Sequence, residues 1–357
     1  MSRPLHVVEI ADSRYPIREP FAGGMQSLTW HLIHGLRSRG VELSVFAAPD
    51  SDPRLGARLI ATRPADLSAA ARQDVSMQPE EWVEQHHAYL QLMLELARRR
   101  DIDVVHNNSL HHLPVAMAEL VGVPVLTTLH TPPTPWLEPV VRLADPGSAR
   151  FAAVSRHTAG LWSHVTDAVV VPNGVDTRRW VPGPGGHDLV WCGRIAPEKA
   201  PHLAVDIARA AGRRIRLAGP VTDPGYWNTH LRPRLGPDVE HVGHLRQHDL
   251  SDLIGASALA LVTPMWDEPY GLVVAEALAC GTPVLAFARG GIPEVVDASC
   301  ARLVTPGDVL AAAALVEETS ALSRRAAREH AVRHCSLDTM VDAYLALLDG
   351  ARMAGAA

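Results

Sequence analysis

Short apolar runs rich in β-branched residues alternate with stretches of helical spacing along the whole chain, the pattern of parallel sheets flanked by helices. In the first half, the runs at 5–10, 41–47, 103–106, 123–129, 152–155 and 168–171 predict strands. Trp82, His86, Leu90, Met93 and Ala97 recur on one face and predict an amphipathic helix over 79–100. Pro172-Asn173-Gly174 and Pro182-Gly183-Pro184-Gly185-Gly186 then break the pattern near the middle. A second alternation follows, with strands at 189–192, 215–218, 239–242, 259–263 and 284–287 and helices at 198–211, 226–235, 247–256 and 271–280. Met340, Val341, Tyr344, Leu345 and Leu348 predict a last helix from 337. The stretch 48–78 matches no pattern.

The expected fold class is therefore α/β, with two Rossmann-like, doubly wound domains facing each other across a cleft. The expected boundaries are 1–172, a linker at 173–186, 187–335, and a C-terminal helix at 336–357 packing back on the first domain. A length of 357 residues suits two cores better than one. No apolar run is long enough to span a membrane, and the N-terminus enters a strand-like run containing Glu9 with no signal-peptide core. Cys192, Cys280, Cys300 and Cys335 are scattered without metal or redox spacing, so a reducing cytoplasm is expected. The net charge of −6 divides evenly, with neither half basic, which counts against a nucleic-acid partner and against stable insertion in or docking on lipid. Arg98-Arg99-Arg100 ends a predicted helix, where cations complement the helix dipole.

Composition adds one pointer to chemistry. Lys199 is the only lysine in the chain. Where arginine has replaced lysine everywhere else, the position that keeps lysine calls for a compact ammonium in place of a wide guanidinium. It lies in Gly193-Arg194-Ile195-Ala196-Pro197-Glu198-Lys199, between a predicted strand and a helix. Two other segments occupy strand-to-helix junctions, where open α/β sheets bind ligands. Gly23-Gly24 opens a helix after the first strand, and paired glycines there let backbone approach an anion closely. Trp266 to Val284 places Glu268 in a loop and Glu276 eight residues later in the helix that Gly271 opens. Amides of Gly271 and Leu272 are suited to phosphate oxygens, and a carboxylate on either side is suited to gripping hydroxyls. The ligand that fits is a nucleotide sugar.

These segments resemble the retaining glycosyltransferases of family 4, with the two-domain GT-B fold. The resemblance spans nearly the whole chain and is strongest over 172–296. It implies that Arg194 and Lys199 neutralise a donor diphosphate, with Gly193 beside them. It also implies that Glu276 binds ribose hydroxyls, that Glu268 binds hydroxyls of the transferred sugar, and that backbone at Tyr270, Gly271 and Leu272 contacts sugar or phosphate. Gly23 and Gly24 correspond to a loop near the phosphates and acceptor, and His130 to a histidine beside the transferred sugar. The mechanism implied is front-face transfer, in which the departing phosphate oxygen takes the acceptor proton. No metal or other cofactor is required. Tyr270 stands where phenylalanine is commoner in the family, and Ala200 where glycine often follows the lysine.

Other polar positions are less decided. His106, His111 and His112, with Asn107 and Asn108, follow a strand and either line the acceptor side or serve as ordinary loop residues. Trp136 either stacks on an acceptor ring or packs in its loop, and Asn173 suits hinge geometry. His241, His244 and His248 straddle a strand end, a turn and a helix start, so they are not expected to converge on a metal. The donor is by default UDP-glucose-like, and the acceptor a small soluble molecule such as a natural product, a sugar or a pterin. Two alternatives remain: a sugar-nucleotide 2-epimerase of this fold, or a catalytically idle nucleotide-sugar-binding partner. The sequence leaves the oligomeric state open.

Overall fold

In the computed structural model, which describes residues 3–56 and 58–355, two separate parallel sheets occur in sequence. The first contains β1 (His6–Ile10), β2 (Glu42–Phe46), β3 (Arg58–Leu59), β4 (Val104–Asn107), β5 (Val125–Leu129), β6 (Ala149–Ala153) and β7 (Val169–Val170), in the order 3-2-1-4-5-6-7. The second contains β8 (Leu189–Cys192), β9 (Ile215–Ala218), β10 (Val239–Gly243), β11 (Leu259–Val262), β12 (Val284–Phe287) and β13 (Ala301–Val304), in the order 10-9-8-11-12-13. Central strands such as β1, β4, β5 and β11 are buried along their full length, because helices cover both faces of a parallel sheet. The strand order reverses at β1/β4 in one domain and at β8/β11 in the other. Each reversal opens a crevice beyond the carboxyl ends of its strands.

The helix Leu337–Gly355 returns to the first domain. Met340, Val341, Tyr344 and Leu348 are buried there in one core with Leu32 and Leu36 of the helix Gly24–Ser38. Contact is close at Gly35, where a Cβ atom would lie 2.5 Å from Val341 Cγ2, so no larger residue fits without displacing the helix. Arg39 closes the rim with ion pairs to Asp338 and Asp342. The chain passes between domains twice, and the two passages hydrogen-bond side by side: Val175 N–H donates to Cys335 O, and Leu337 N–H to Val175 O.

Several elements depart from the periodicity. The stretch expected as a linker is seated on the second domain: Trp180 is buried there, and Gly183 and Gly185 donate to Cys280 O and Gly255 O. The helix expected over 198–211 divides into a 3₁₀ turn, Pro197–Lys199, and a helix, Pro201–Ala210, with Ala200 left-handed between them (φ 45°). Pro201 explains the break, since it disfavours the helical conformation in the residue before it. The expected 226–235 helix becomes short irregular turns from Pro224 to Arg234, as Pro233 removes a helical N–H. The unassigned 48–78 stretch holds a 3₁₀ turn, Pro53–Leu55, the edge strand β3 and a single helical turn, Ala69–Arg72.

Candidate active site

The second domain builds its side of the cleft from the loops after β8 and β11, which are tied together. Thr263 Oγ1 accepts the Trp191 indole N–H at 3.2 Å and donates to Ala200 O at 3.1 Å, while Met265 N–H donates to Glu198 O at 2.8 Å. This stitching brings together residues nearly seventy positions apart. Lys199 Nζ lies 2.5 Å from Glu268 Oε2, and the Trp266 indole N–H donates to the same oxygen at 2.9 Å. The ammonium also stands 4.9 Å from the centre of the Trp266 ring. Both members of the ion pair are about four-fifths covered (20% and 17% exposed), so solvent screens them only partly. Arg194 reaches back to Glu198 at 3.1 Å and is more open.

Beyond Glu268 the chain turns through Gly271 (φ 93°) into the helix Leu272–Ala279, which starts without a side-chain cap. Its first amides are therefore free for an anion. A Cβ at Gly271 would be strained in this left-handed conformation and would lie 2.9 Å from Ile292 Cγ1. On the same helix, Glu276 is half-buried and makes no side-chain hydrogen bond among the described residues. Burial pushes its carboxyl up to about 8, and the same burial together with Glu276 raises the neighbouring Cys192 thiol. The Tyr270 ring is buried in the second core, so only its backbone is placed to meet a ligand. The Gly193 N–H donates to Ala218 O at 3.0 Å.

The first domain supplies the opposing side. Gly23 is extended at the start of the helix Gly24–Ser38, again with no side-chain cap. A Cβ on Gly24 would stand 3.5 Å from Leu272 Cδ2, so the two uncapped helix starts meet across the cleft. His130 follows β5, with Nε2 2.7 Å from Asn108 Oδ1; burial and the nearby His106 hold it far below the usual histidine value, at about 3.

The acceptor-side expectations fare unevenly. His106 and Asn107 have no exposed surface, because β4 is a central strand that runs on to Asn107, so neither can line the cleft. His111 is a packing residue: it stacks on Tyr89 and His112 (ring centres 4.1 and 4.5 Å), and its Nδ1 accepts the Leu113 N–H. Trp136 is 63% exposed and stands free on its loop. His241, His244 and His248 point to separate partners, Gly219 O, Phe21 O and the Asp249/Asp252 pair. A different trio, Asp297, Cys300 and His330, brings possible ligand atoms within 4.8 Å of one another. All three are already engaged in holding the fold, since Asp297 accepts from Ser299, Cys300 fills the core, and His330 Nε2 meets Val295 O. Trp266 escaped the sequence reading of function, since its role depends on a lysine from another loop.

Two family descriptions fit the two domains. The model described as Glycosyltransferase Family 4 matches residues 22–179, and that described as Glycosyl transferases group 1 matches residues 186–322. The chain belongs to the family 4 glycosyltransferases. It is 29% identical over 350 residues to a D-inositol 3-phosphate glycosyltransferase of Actinosynnema mirum, covering 82% of this chain and 83% of that one. It is 30% identical over 248 residues to the MMP alpha-(1->4)-mannosyltransferase of Mycolicibacterium hassiacum, covering 59% of this chain and 60% of that protein, so it spans less than two thirds of that relative. Among solved structures, AviGT4, a glycosyltransferase involved in avilamycin A biosynthesis, superposes with a TM-score of 0.71 at 24% identity, covering 99% of both chains. Anabaena Alr3699/HepE in complex with UDP-glucose superposes with a TM-score of 0.75 at 16% identity, covering 97% of this chain and all of the other. These likenesses establish the GT-B fold of two facing Rossmann-like domains. No helix among the described residues is long and apolar enough to cross a membrane.

Proposed function

We propose that this family 4 member is a retaining glycosyltransferase that moves a hexosyl group from a nucleoside-diphosphate sugar to a hydroxyl of a small acceptor. The observation that carries this reading is the uncapped start of the Leu272–Ala279 helix, flanked by the Lys199–Glu268 pair and by the carboxyl of Glu276, which has no hydrogen-bond partner among the described residues. A diphosphate at the helix start would meet its free amides, with Lys199 and Arg194 supplying positive charge, and Glu276 would take the ribose hydroxyls. Departure of the nucleoside diphosphate concentrates negative charge where these groups are already fixed, which lowers the barrier without reorganisation. Glu268 is a poor candidate for a covalent nucleophile, because one carboxylate oxygen already accepts from Lys199 and Trp266. This favours the front-face route, with the leaving phosphate oxygen taking the acceptor proton. The two cations and the helix start supply the charge stabilisation, so no metal is required.

UDP-glucose is the first donor to try, since Alr3699/HepE was solved with it. The acceptor is proposed to be a small polar molecule, in keeping with relatives named for inositol phosphate, with natural products, sugars and pterins in the trial set.

Proton NMR of UDP-, GDP- and ADP-sugar turnover over that set tests the reading. An α-linked product from an α-configured donor is expected, and Lys199→Ala should reduce kcat by about 10²–10³-fold, the usual effect of removing a preorganised charge-stabilising group. A β-linked product would refute retention. A C2 epimer formed without acceptor would instead identify an epimerase.

A further inference from the structure

Glu9 is a carboxylate on β1, an interior strand of the first sheet, with none of its surface exposed, and the proposed transfer chemistry gives it no role. Burying a lone carboxylate is costly, so its partners must account for its presence. In register it faces His106 on β4. His106 Nδ1 lies 3.0 Å from Oε2, and Asn108 Nδ2 donates to Oε1. Asn108 is buried as well, and its other amide atom, Oδ1, lies 2.7 Å from His130 Nε2 at the cleft. On the far side, His106 Nε2 is 2.9 Å from the Thr128 hydroxyl, which is 3.2 Å from the Tyr344 hydroxyl of the C-terminal helix.

The donor and acceptor capacities of these groups fix the arrangement. A carboxylate only accepts, so the Asn108 amide must turn its NH₂ to Glu9 and its oxygen to His130. An amide oxygen also only accepts, so His130 Nε2 must carry a proton. A neutral imidazole has one N–H, which leaves Nδ1 as a lone pair. Nδ1 has no partner among the described residues, and it is not among the enclosed unpartnered atoms, so it keeps some access to solvent just beyond the carboxyl end of β5.

We propose that Glu9 and Asn108 are positioning residues that lock His130 in its Nε2-protonated tautomer and present Nδ1 to the cleft as a hydrogen-bond acceptor, so that the site selects a donor sugar offering a hydroxyl at that point. The proposal rests on the reading that His130 borders the transferred sugar. Burial, which keeps the ring neutral across physiological pH, agrees with it. His106 holds the other oxygen of Glu9 and is itself backed by Thr128 and then Tyr344, so docking of the C-terminal helix also steadies a group in the cleft.

Long-range ¹H–¹⁵N NMR of the full chain, with the His130 signals identified by their loss in His130→Gln, reads the tautomer without substrate. The expected wild-type form is neutral with Nε2 protonated. Glu9→Gln introduces an amide able to donate to Asn108, which lets the Asn108 side chain turn over and allows the Nδ1–H form. Asn108→Leu removes the link altogether, and a mixture of tautomers is expected. In transfer assays each variant should lose about 10–100-fold in kcat, the usual range for residues that orient a functional histidine. Glu9→Gln should have no further effect in a His130→Ala background. An Nδ1–H or doubly protonated His130 in the wild type would overturn the proposal, as would additive losses in the double variant. Unchanged turnover in His130→Ala would instead overturn the parent reading, and the spectrum still decides whether the chain sets the tautomer.

Discussion

Glu276 illustrates how a single side chain can report on a ligand. In the free protein its carboxyl, raised to about 8 by burial, is mostly protonated at neutral pH. On the proposed reading ribose hydroxyls donate to it and bind its ionised form better, so nucleotide binding should expel a proton. The sign follows from linkage: affinity for UDP should rise with pH by up to about tenfold per unit and level off above 8, because a single group titrates. Titration calorimetry between pH 6.5 and 8.5 in buffers of different ionisation enthalpy would detect the released proton, and Glu276→Gln should abolish the slope. A flat profile in the wild type would mean that Glu276 does not meet the ligand as a carboxylate. Glu268, Glu276 and Lys199 stood out in the sequence because they lie in or just after strand-to-helix segments, where charged groups have few structural uses. Their partners did not. The Trp266–Glu268–Lys199 cluster and the Glu9–Asn108–His130 chain join residues far apart in sequence. His106 and Asn107 were misplaced for a related reason, as the register of β4 carries them inside the sheet.

Among the elements, the helix Leu272–Ala279 depends most on one residue. Gly271 combines a left-handed backbone with close contact to Ile292. Gly271→Ala should therefore cost about 1–3 kcal/mol. The second domain should then melt several degrees lower, at about 2–4 °C per kcal/mol for a domain of this size. The stabilisation that UDP gives should also shrink, since the amides at the helix start would be displaced. Differential scanning fluorimetry with and without UDP measures both, and a variant that melts like the wild type would show that the turn relaxes without strain. Most elements of the second domain were legible from alternation alone, with strands 189–192, 215–218 and 284–287 matching to the residue. The breaks at Ala200 and Pro233 were signalled by the prolines themselves. The helices Val309–Ser320 and Arg324–His334 were missed: the first opens on an unbroken apolar run, Val309 to Val316, and the second is largely polar, so neither shows a clear apolar stripe.

At the scale of the molecule, the two domains are held together beyond the chain crossings. Glu294 of the second domain accepts the amides of Arg156 and His157, the first of the helix Arg156–Trp162 in the first domain, at 2.9 and 2.7 Å. Ser155 and Thr158 donate to Pro269 O, beside the Glu268 loop. A carboxylate at a helix start is worth about 1 kcal/mol. Glu294→Ala should thus shift the free protein toward a more open form, seen as a larger radius of gyration in small-angle scattering, with circular dichroism unchanged. Addition of UDP should restore part of the compaction, and a radius equal to that of the wild type would show that the other contacts suffice.

The sequence by itself determined the fold class and singled out the segments proposed to carry chemistry, because strand alternation, glycine at junctions and charge at strand ends are local signals read within a dozen residues. Only the tertiary structure decided which polar groups face the cleft and which are buried as supports. Strand register and the reversal points at β1/β4 and β8/β11 set that choice, and they bring together Glu9 with His130, Lys199 with Glu268, and Gly24 with Leu272. Such pairings arise between residues up to two hundred and more positions apart, where no local pattern carries the information.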